Sequence, residues 1–394
     1  MKSARPSFFV LIALVGGLAI FSSTLSKTPV LPLFAQALDA TPAEIGWIVM
    51  ASTIPGILIS YPAGALSDQL GKRRVLLASL VVFATAPFLY LIISTAWQLM
   101  AVRFYHGFAT AIFGTVASAA IAERYTADRA QRLSTYSSVT IVGRSVAPFL
   151  GGTLISLGSF GAVYIACAIS GVLALVVGLA LRDHAPPAAT KIELPKFWTS
   201  LATVLRDRGI MLVSLVEAAQ YLVFGAIEAF LALFASSLGI PAWQIGVILG
   251  VQLVSIVFAK PIAGKVSDRL GRRRVILPGL MIGAASVALL PYFPSFAGLS
   301  VLSLVFGLGF ATVTSSTAAL VADLTRDGRY GSSMGVLRTI MDVGQSIGPV
   351  LTGFLVGAAG YPSAFTLLAA ILVAAAVLLG MLLKGVDTKA SAAL

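Results

Sequence analysis

The sequence predicts an all-α membrane protein whose helices form two pseudo-symmetric bundles of six. Three observations carry this. Apolar residues make up 58% of the 394-residue chain and charged residues only 11%, against about 45–50% and about 25% in an ordinary soluble domain. Stretches of about 20 mainly apolar residues, the length that spans a bilayer, recur twelve times. A twelve-residue phrase also occurs twice, running from Gly64 through Asp68, Gly71 and Arg73 to Val75, and again from Gly264 through Asp268 and Gly271 to Val275.

In order, the predicted spans cover 7–33, 43–66, 74–94, 96–122, 131–156 and 160–181 in the first half. Those of the second half cover 210–236, 242–266, 274–294, 296–323, 331–357 and 361–384. Their runs are continuous and far longer than the alternating segments of about 10 residues in a membrane barrel, which excludes strands. The first span begins with Lys2 and Arg5 like a secretory signal. Its apolar pattern continues to about Phe34 without a small-residue cleavage site, so it reads as a retained helix. Each copy of the repeated phrase falls between two spans as a short charged turn. Further matches extend the duplication: Pro42 to Gly46 with Pro241 to Gly246, and Gly143 to Gly152 with Gly344 to Gly353. The predicted organisation is a six-helix bundle over 1–181, a polar linker over 182–208 and a second bundle over 209–394. Six being even, both bundles enter the membrane from the same side, related by an axis along the membrane normal.

The formal net charge of +12 reports topology rather than a nucleic-acid partner. Basic residues cluster in the connections 2–3 (Lys72, Arg73, Arg74), 4–5 (Arg124, Arg129), 8–9 (Lys265, Arg269, Arg272) and 10–11 (Arg326, Arg329), and in the central linker. The alternate connections, 94–97, 156–161, 239–244, 291–298 and 360–363, hold no Lys or Arg. The positive-inside rule then places both termini and the basic loops in the cytoplasm. The expected setting is a bacterial-type inner membrane, with the lipid bilayer as partner and a monomeric chain. One cysteine and two histidines make neither a disulfide framework nor a protein-held metal, and no cofactor is expected.

The repeated phrase and the glycine-rich motif of span 5 resemble the major facilitator superfamily, a resemblance that covers essentially the whole chain. It implies that Gly64, Asp68, Gly71 and Arg73, with Asp268 in the second copy, belong to a gating turn. The aspartate would brace the N-terminus of span 11, worth about 0.3–1 kcal/mol. Gly143 and Pro148, matched by Gly344 and Pro349, resemble the exporter signature, in which small residues at four-residue spacing let helices slide closely and proline lets them bend. The resemblance also places Arg103 at the family's helix 4 arginine, a position implied in proton coupling.

Ionisable groups inside hydrocarbon cost about 2.5–3.5 kcal/mol each on insertion scales and mark a pathway. The candidates are Lys27, Arg103, His106 and Arg144 in the first half, and Glu217, Glu228, Lys260, Arg338 and Asp342 in the second. Glu217, Gln220, Tyr221, Phe224 and Glu228 share one helix stripe, with its carboxylates about 16 Å apart. Arg338, Asp342, Gln345 and Pro349 make a second stripe, whose first two members are spaced to pair. The expected cleft between the halves is basic on one side and acidic on the other. Lys27, Arg103, Arg144, Gln220, Tyr221, Phe224 and Gln345 are its expected substrate contacts, and Glu217, Glu228 and Asp342 its proton carriers, Glu228 foremost. The expected activity is proton-coupled export of a small organic molecule by alternating access, with about 2.3 kcal/mol available per charge per 100 mV. Uptake by symport of an anionic or zwitterionic solute, and lipid flipping, are the alternatives. No nucleophile–base set points to an enzyme.

Overall fold

The computed structural model describes residues 7–181, 205–325 and 330–382, all helix and short connections. The first half carries α1 (Phe8–Leu25), α2 (Val30–Ala37), α3 (Pro42–Ala51), α4 (Ile54–Leu70), α5 (Lys72–Tyr90), α6 (Ala96–Arg124), α7 (Arg129–Leu157) and α8 (Phe160–Leu179). The second carries α9 (Arg208–Ser237), α10 (Ala242–Leu270), α11 (Arg272–Leu289), α12 (Phe296–Leu324) and α13 (Tyr330–Leu382).

Among the described residues, eleven helical stretches are long and apolar enough to cross a membrane. The last of these stretches, on α13, is long enough for two of the twelve expected spans. Its backbone breaks at Gly360, where φ is 76° and ψ 174°, at the join read from the sequence. Conversely, the first span is interrupted between α1 and α2 and the second between α3 and α4. Large apolar side chains lie exposed along the helices, Leu157, Phe258 and Met381 among them, as a lipid solvent requires.

Helix ends follow local chemistry. Ser7, Thr95, Ser159 and Ser295 cap α1, α6, α8 and α12 with their hydroxyls, and Asp207 caps α9. Thr41 and Glu44 form a capping box before α3, the Thr41 amide and hydroxyl both donating to the Glu44 carboxylate at 2.8 Å. The turn inside each repeated phrase rests on one glycine: Gly71 (φ 89°) joins α4 to α5, and Gly271 (φ 93°) joins α10 to α11. A side chain at either position would be strained.

The chain forms two compact units, each taking in a six-residue tip from the other half of the sequence. The first comprises 1–40, 47–192 and 241–246; the second comprises 41–46, 193–240 and 247–394. In the first, α1 packs on α7 and α8, and α5 on α6 and α8, around a core that includes Ile12, Phe83, Phe113 and Ile121. In the second, α13 packs on α9 and α11, and α11 on α12, burying Phe230, Phe306 and Phe365.

The 200-residue offset of the repeat runs deeper than its motifs. Lys72 pairs with Glu123 at 2.7 Å, and at the same two positions of the second unit Arg272 pairs with Asp323 at 3.0 Å. Arg73 donates to the carbonyls of Leu179 and Leu181 at the end of α8, while Arg273 donates to the Gly380 carbonyl near the end of α13. These cations satisfy terminal carbonyls and sit at the negative end of a helix dipole. Gly107 of α6 lies so close to Ser52 that a methyl group would strike its carbonyl, and Gly307 of α12 stands likewise against Gln252.

Candidate functional site

Each unit buries one polar cluster among its spanning helices. In the first, Arg103 of α6 is 4% exposed. Its Nη2 donates to the Ser52 hydroxyl at 2.7 Å and its Nη1 to the Tyr90 hydroxyl at 3.4 Å. Tyr90 in turn meets His106 Nδ1 at 3.2 Å and stacks on Tyr164, ring centroids 4.4 Å apart and planes 8° from parallel. Among the described residues Arg103 makes no ion pair, and its guanidinium is held by neutral hydrogen bonds. It lies in the interior of its own unit, bound to the side chains of Ser52, between α3 and α4, and Tyr90, at the end of α5.

In the second unit Glu217 of α9 is 4% exposed. It accepts a hydrogen bond from the Thr317 hydroxyl of α12, and Lys260 of α10 is the cation that acts on it. Beside it on the same helix, Tyr221 and Phe224 pack on Phe310 of α12, with ring centroids 5.0 and 4.5 Å away. Lys260 Nζ lies 5.9 Å from the Phe310 ring centroid, within reach of a cation–π attraction. A carboxyl, a hydroxyl, an ammonium and three aromatic rings from three helices therefore occupy one region. Such a group can hold a proton or a polar aromatic molecule. Gln220 is fully buried near Gly283, and neither end of its amide meets a protein partner.

The remaining expected residues are spread more widely. Glu228 is half-buried on α9, and Lys27 is half-buried where α1 gives way to α2. Arg144 is exposed on α7 and forms no ion pair among the described residues. Asp342 is half-buried on α13; Arg338 acts on it electrostatically, yet the pair expected from their spacing does not close into an ion pair. Arg338 is exposed, and its long side chain is free to extend away from a carboxyl it would otherwise have to desolvate. Gly64 and the Asp68 side chain lie outside the described residues, as do 182–204 of the expected linker and Arg326 and Arg329. Asp268 is exposed and pairs with Arg272 four residues on.

The residues of the two glycine motifs divide between two kinds of seam. Gly143 packs on Gly17 and Phe21 of α1, and Gly344 on the Ala218 carbonyl of α9, each within its own unit. Small residues on α7 and α13 thus serve seams with α1 and α9, with Gln345 covering Gly225 in the second. Pro148 and Pro349 meet the exchanged tips instead. In the first unit the Pro148 carbonyl lies against Gly246, and Ser156 Oγ accepts from the Trp243 amide at 2.9 Å; in the second, the Pro349 carbonyl lies against Gly46.

Sequence reasoning missed the neutral partners: Ser52, Tyr90 and Tyr164 around Arg103, and Thr317 around Glu217. It also passed over Glu123 and Asp323, which the 200-residue offset would have identified, since each stands the same distance beyond its copy of the repeated phrase.

Comparison with known proteins gives a consistent result. The family model described as Major Facilitator Superfamily matches residues 12–251 and 213–393. An uncharacterised MFS-type transporter of Methanocaldococcus jannaschii is 25% identical over 331 residues, 83% of this chain and 86% of the relative. The quinolone resistance protein NorA of Staphylococcus aureus is 22% identical over 330 residues, 83% and 84% of the two chains. Among solved structures, a mutant form of the nucleoside transporter NupG superposes with a TM-score of 0.85 at 15% identity, covering 96% of this chain and 100% of its own.

Proposed function

Because this chain belongs to the Major Facilitator Superfamily, a family of non-enzymatic membrane transporters, we propose that it is a proton-coupled secondary transporter exporting a small organic molecule by alternating access. The observation that carries this reading is Glu217, an acid 4% exposed within a span and held by Thr317 beside an aromatic group. An ionised carboxylate is costly to keep in hydrocarbon. Access from one side lets such a group give up its proton, and access from the other lets it take one. The rings of Tyr221, Phe224 and Phe310 offer stacking to an apolar, planar solute. Distant likeness to a quinolone resistance protein supports the outward direction. Glu217 is the more buried of the two acids on α9, so we place it ahead of Glu228 as the proton carrier, with Asp342 as the third candidate. The setting we propose is a bacterial-type inner membrane, with a monomeric chain and both termini cytoplasmic.

The test uses proteoliposomes with a trapped pH dye and a panel of aromatic solutes. Solute movement should drive opposite proton movement in the native protein and none in Glu217→Gln, while Glu217→Gln still binds solute. Proton movement that survives in Glu217→Gln but fails in Glu228→Gln would return the role to Glu228. The alternative, symport of an anionic solute, draws on the exposed cation Arg144, and predicts proton and solute moving in the same direction.

A further inference from the structure

We propose that the Arg103 cluster is a binding site for a small monovalent inorganic anion, enclosed in the first unit and separate from the acidic group of the second.

Donors outnumber acceptors among the side chains of this cluster. The Tyr90 hydroxyl accepts from Arg103 Nη1, which leaves its own hydrogen to reach His106 Nδ1. A neutral imidazole that accepts at Nδ1 carries its hydrogen at Nε2 and donates from there. His106 Nε2, Arg103 Nε and the Tyr164 hydroxyl are all buried without a protein partner. Tyr90 accepts from Arg103, meets His106 Nδ1 and stacks on Tyr164, so the three groups share one neighbourhood. The set is therefore one permanent positive charge and three unspent donors, with no carboxylate paired to the charge among the described residues. Arginine remains charged under all ordinary conditions, and three donors with a buried cation call for an anion.

The repeat shows that packing does not require this charge. At an offset of 200 residues, Ser52, Tyr90, Arg103 and His106 correspond to Gln252, Leu290, Ser303 and Phe306. The second unit builds the same glycine-mediated helix approach, Gly307 against Gln252, with those neutral residues. Size selects among anions: Phe83 meets the His106 ring edge-on at 5.7 Å, Tyr164 covers Tyr90, and Gly107 closes on Ser52. So close a packing suits a halide and excludes an organic carboxylate.

The probe is chloride itself. Thermal unfolding of the purified full chain in detergent is followed at fixed ionic strength while sodium gluconate is exchanged for sodium chloride, then for bromide. A saturable rise in Tm with chloride, reproduced by bromide, is expected. Arg103→Gln should abolish it, and Tyr164→Phe, which removes only one hydroxyl, should raise the midpoint concentration several-fold. If Arg103→Gln does not fold, the native titration and Tyr164→Phe decide. Absence of a saturable halide response in the native protein, as ordered water in place of an anion would give, overturns the proposal. So does a response whose midpoint is unchanged in Tyr164→Phe or that persists in Arg103→Gln. Because the readout is stability, its failure leaves proton coupling at Glu217 untouched, and the reverse holds equally.

Discussion

Individual residues carry the most direct consequences. Thr317 gives its hydroxyl hydrogen to Glu217 while both are buried. Replacing it by valine keeps the shape and removes the donor, leaving a buried carboxyl short of a partner, which costs about 1–3 kcal/mol. Thr317→Val should accordingly lower the Tm of the purified protein and slow proton-coupled transport, whereas Thr317→Ser should restore both. Gly107 and Gly307 make a matched pair of packing tests. A methyl group at either site runs into backbone carbonyl that cannot move aside as a flexible side chain does. Gly107→Ala and Gly307→Ala should each destabilise by about 1–3 kcal/mol, read as a loss of Tm. An equal tolerance of alanine at both sites would mean that the helices part readily there.

At the scale of helices and turns, the repeated phrase separates into two physical roles. Its glycine makes a turn with φ near 90°, and its second basic residue caps a neighbouring helix. Gly71→Ala should cost about 1–2 kcal/mol from left-handed backbone strain, and Arg73→Ala about 0.3–1 kcal/mol from the lost dipole contact; chemical denaturation of the two variants distinguishes the larger effect from the smaller. The spans themselves were legible because an uninterrupted apolar run of bilayer length has no other soluble or barrel reading. The break between α3 and α4 was not, since apolar content does not register a local change of φ, whereas the join at Gly360 fell where the spans were read to end and begin. The rare charges were legible for the same reason as the spans: Arg103 and Glu217 stand out against hydrocarbon. Their partners were hidden because serine, threonine and tyrosine are common in spanning helices, and only tertiary structure says which of them meets an ion. Spacing also misled, for Arg338 and Asp342 sit four residues apart and still make no ion pair.

For the molecule as a whole, charge distribution and duplication act together. The same two ion-pair positions recur in both units, Lys72 with Glu123 and Arg272 with Asp323, at helix ends beside the turns that the positive-inside reading assigns to the cytoplasm. Partly exposed pairs of this kind contribute about 0–1 kcal/mol each, so their recurrence marks the duplication more than a gain in stability. Single cysteines introduced at Asp128 and Arg269 in a variant lacking Cys167 should react with an impermeant maleimide only in everted vesicles. Cysteines at Ser94 and Phe293 should react only in right-side-out ones; labelling of all four from one side would refute the topology.

Cys167 is the chain's sole cysteine. It is wholly buried on α8, where its carbonyl accepts from Ser22 of α1 at 2.9 Å. Nature has thus supplied a stopwatch: a fluorogenic alkylating dye will stay dark until α1 and α8 separate, and its kinetics then time the breathing of that one seam without any engineered label.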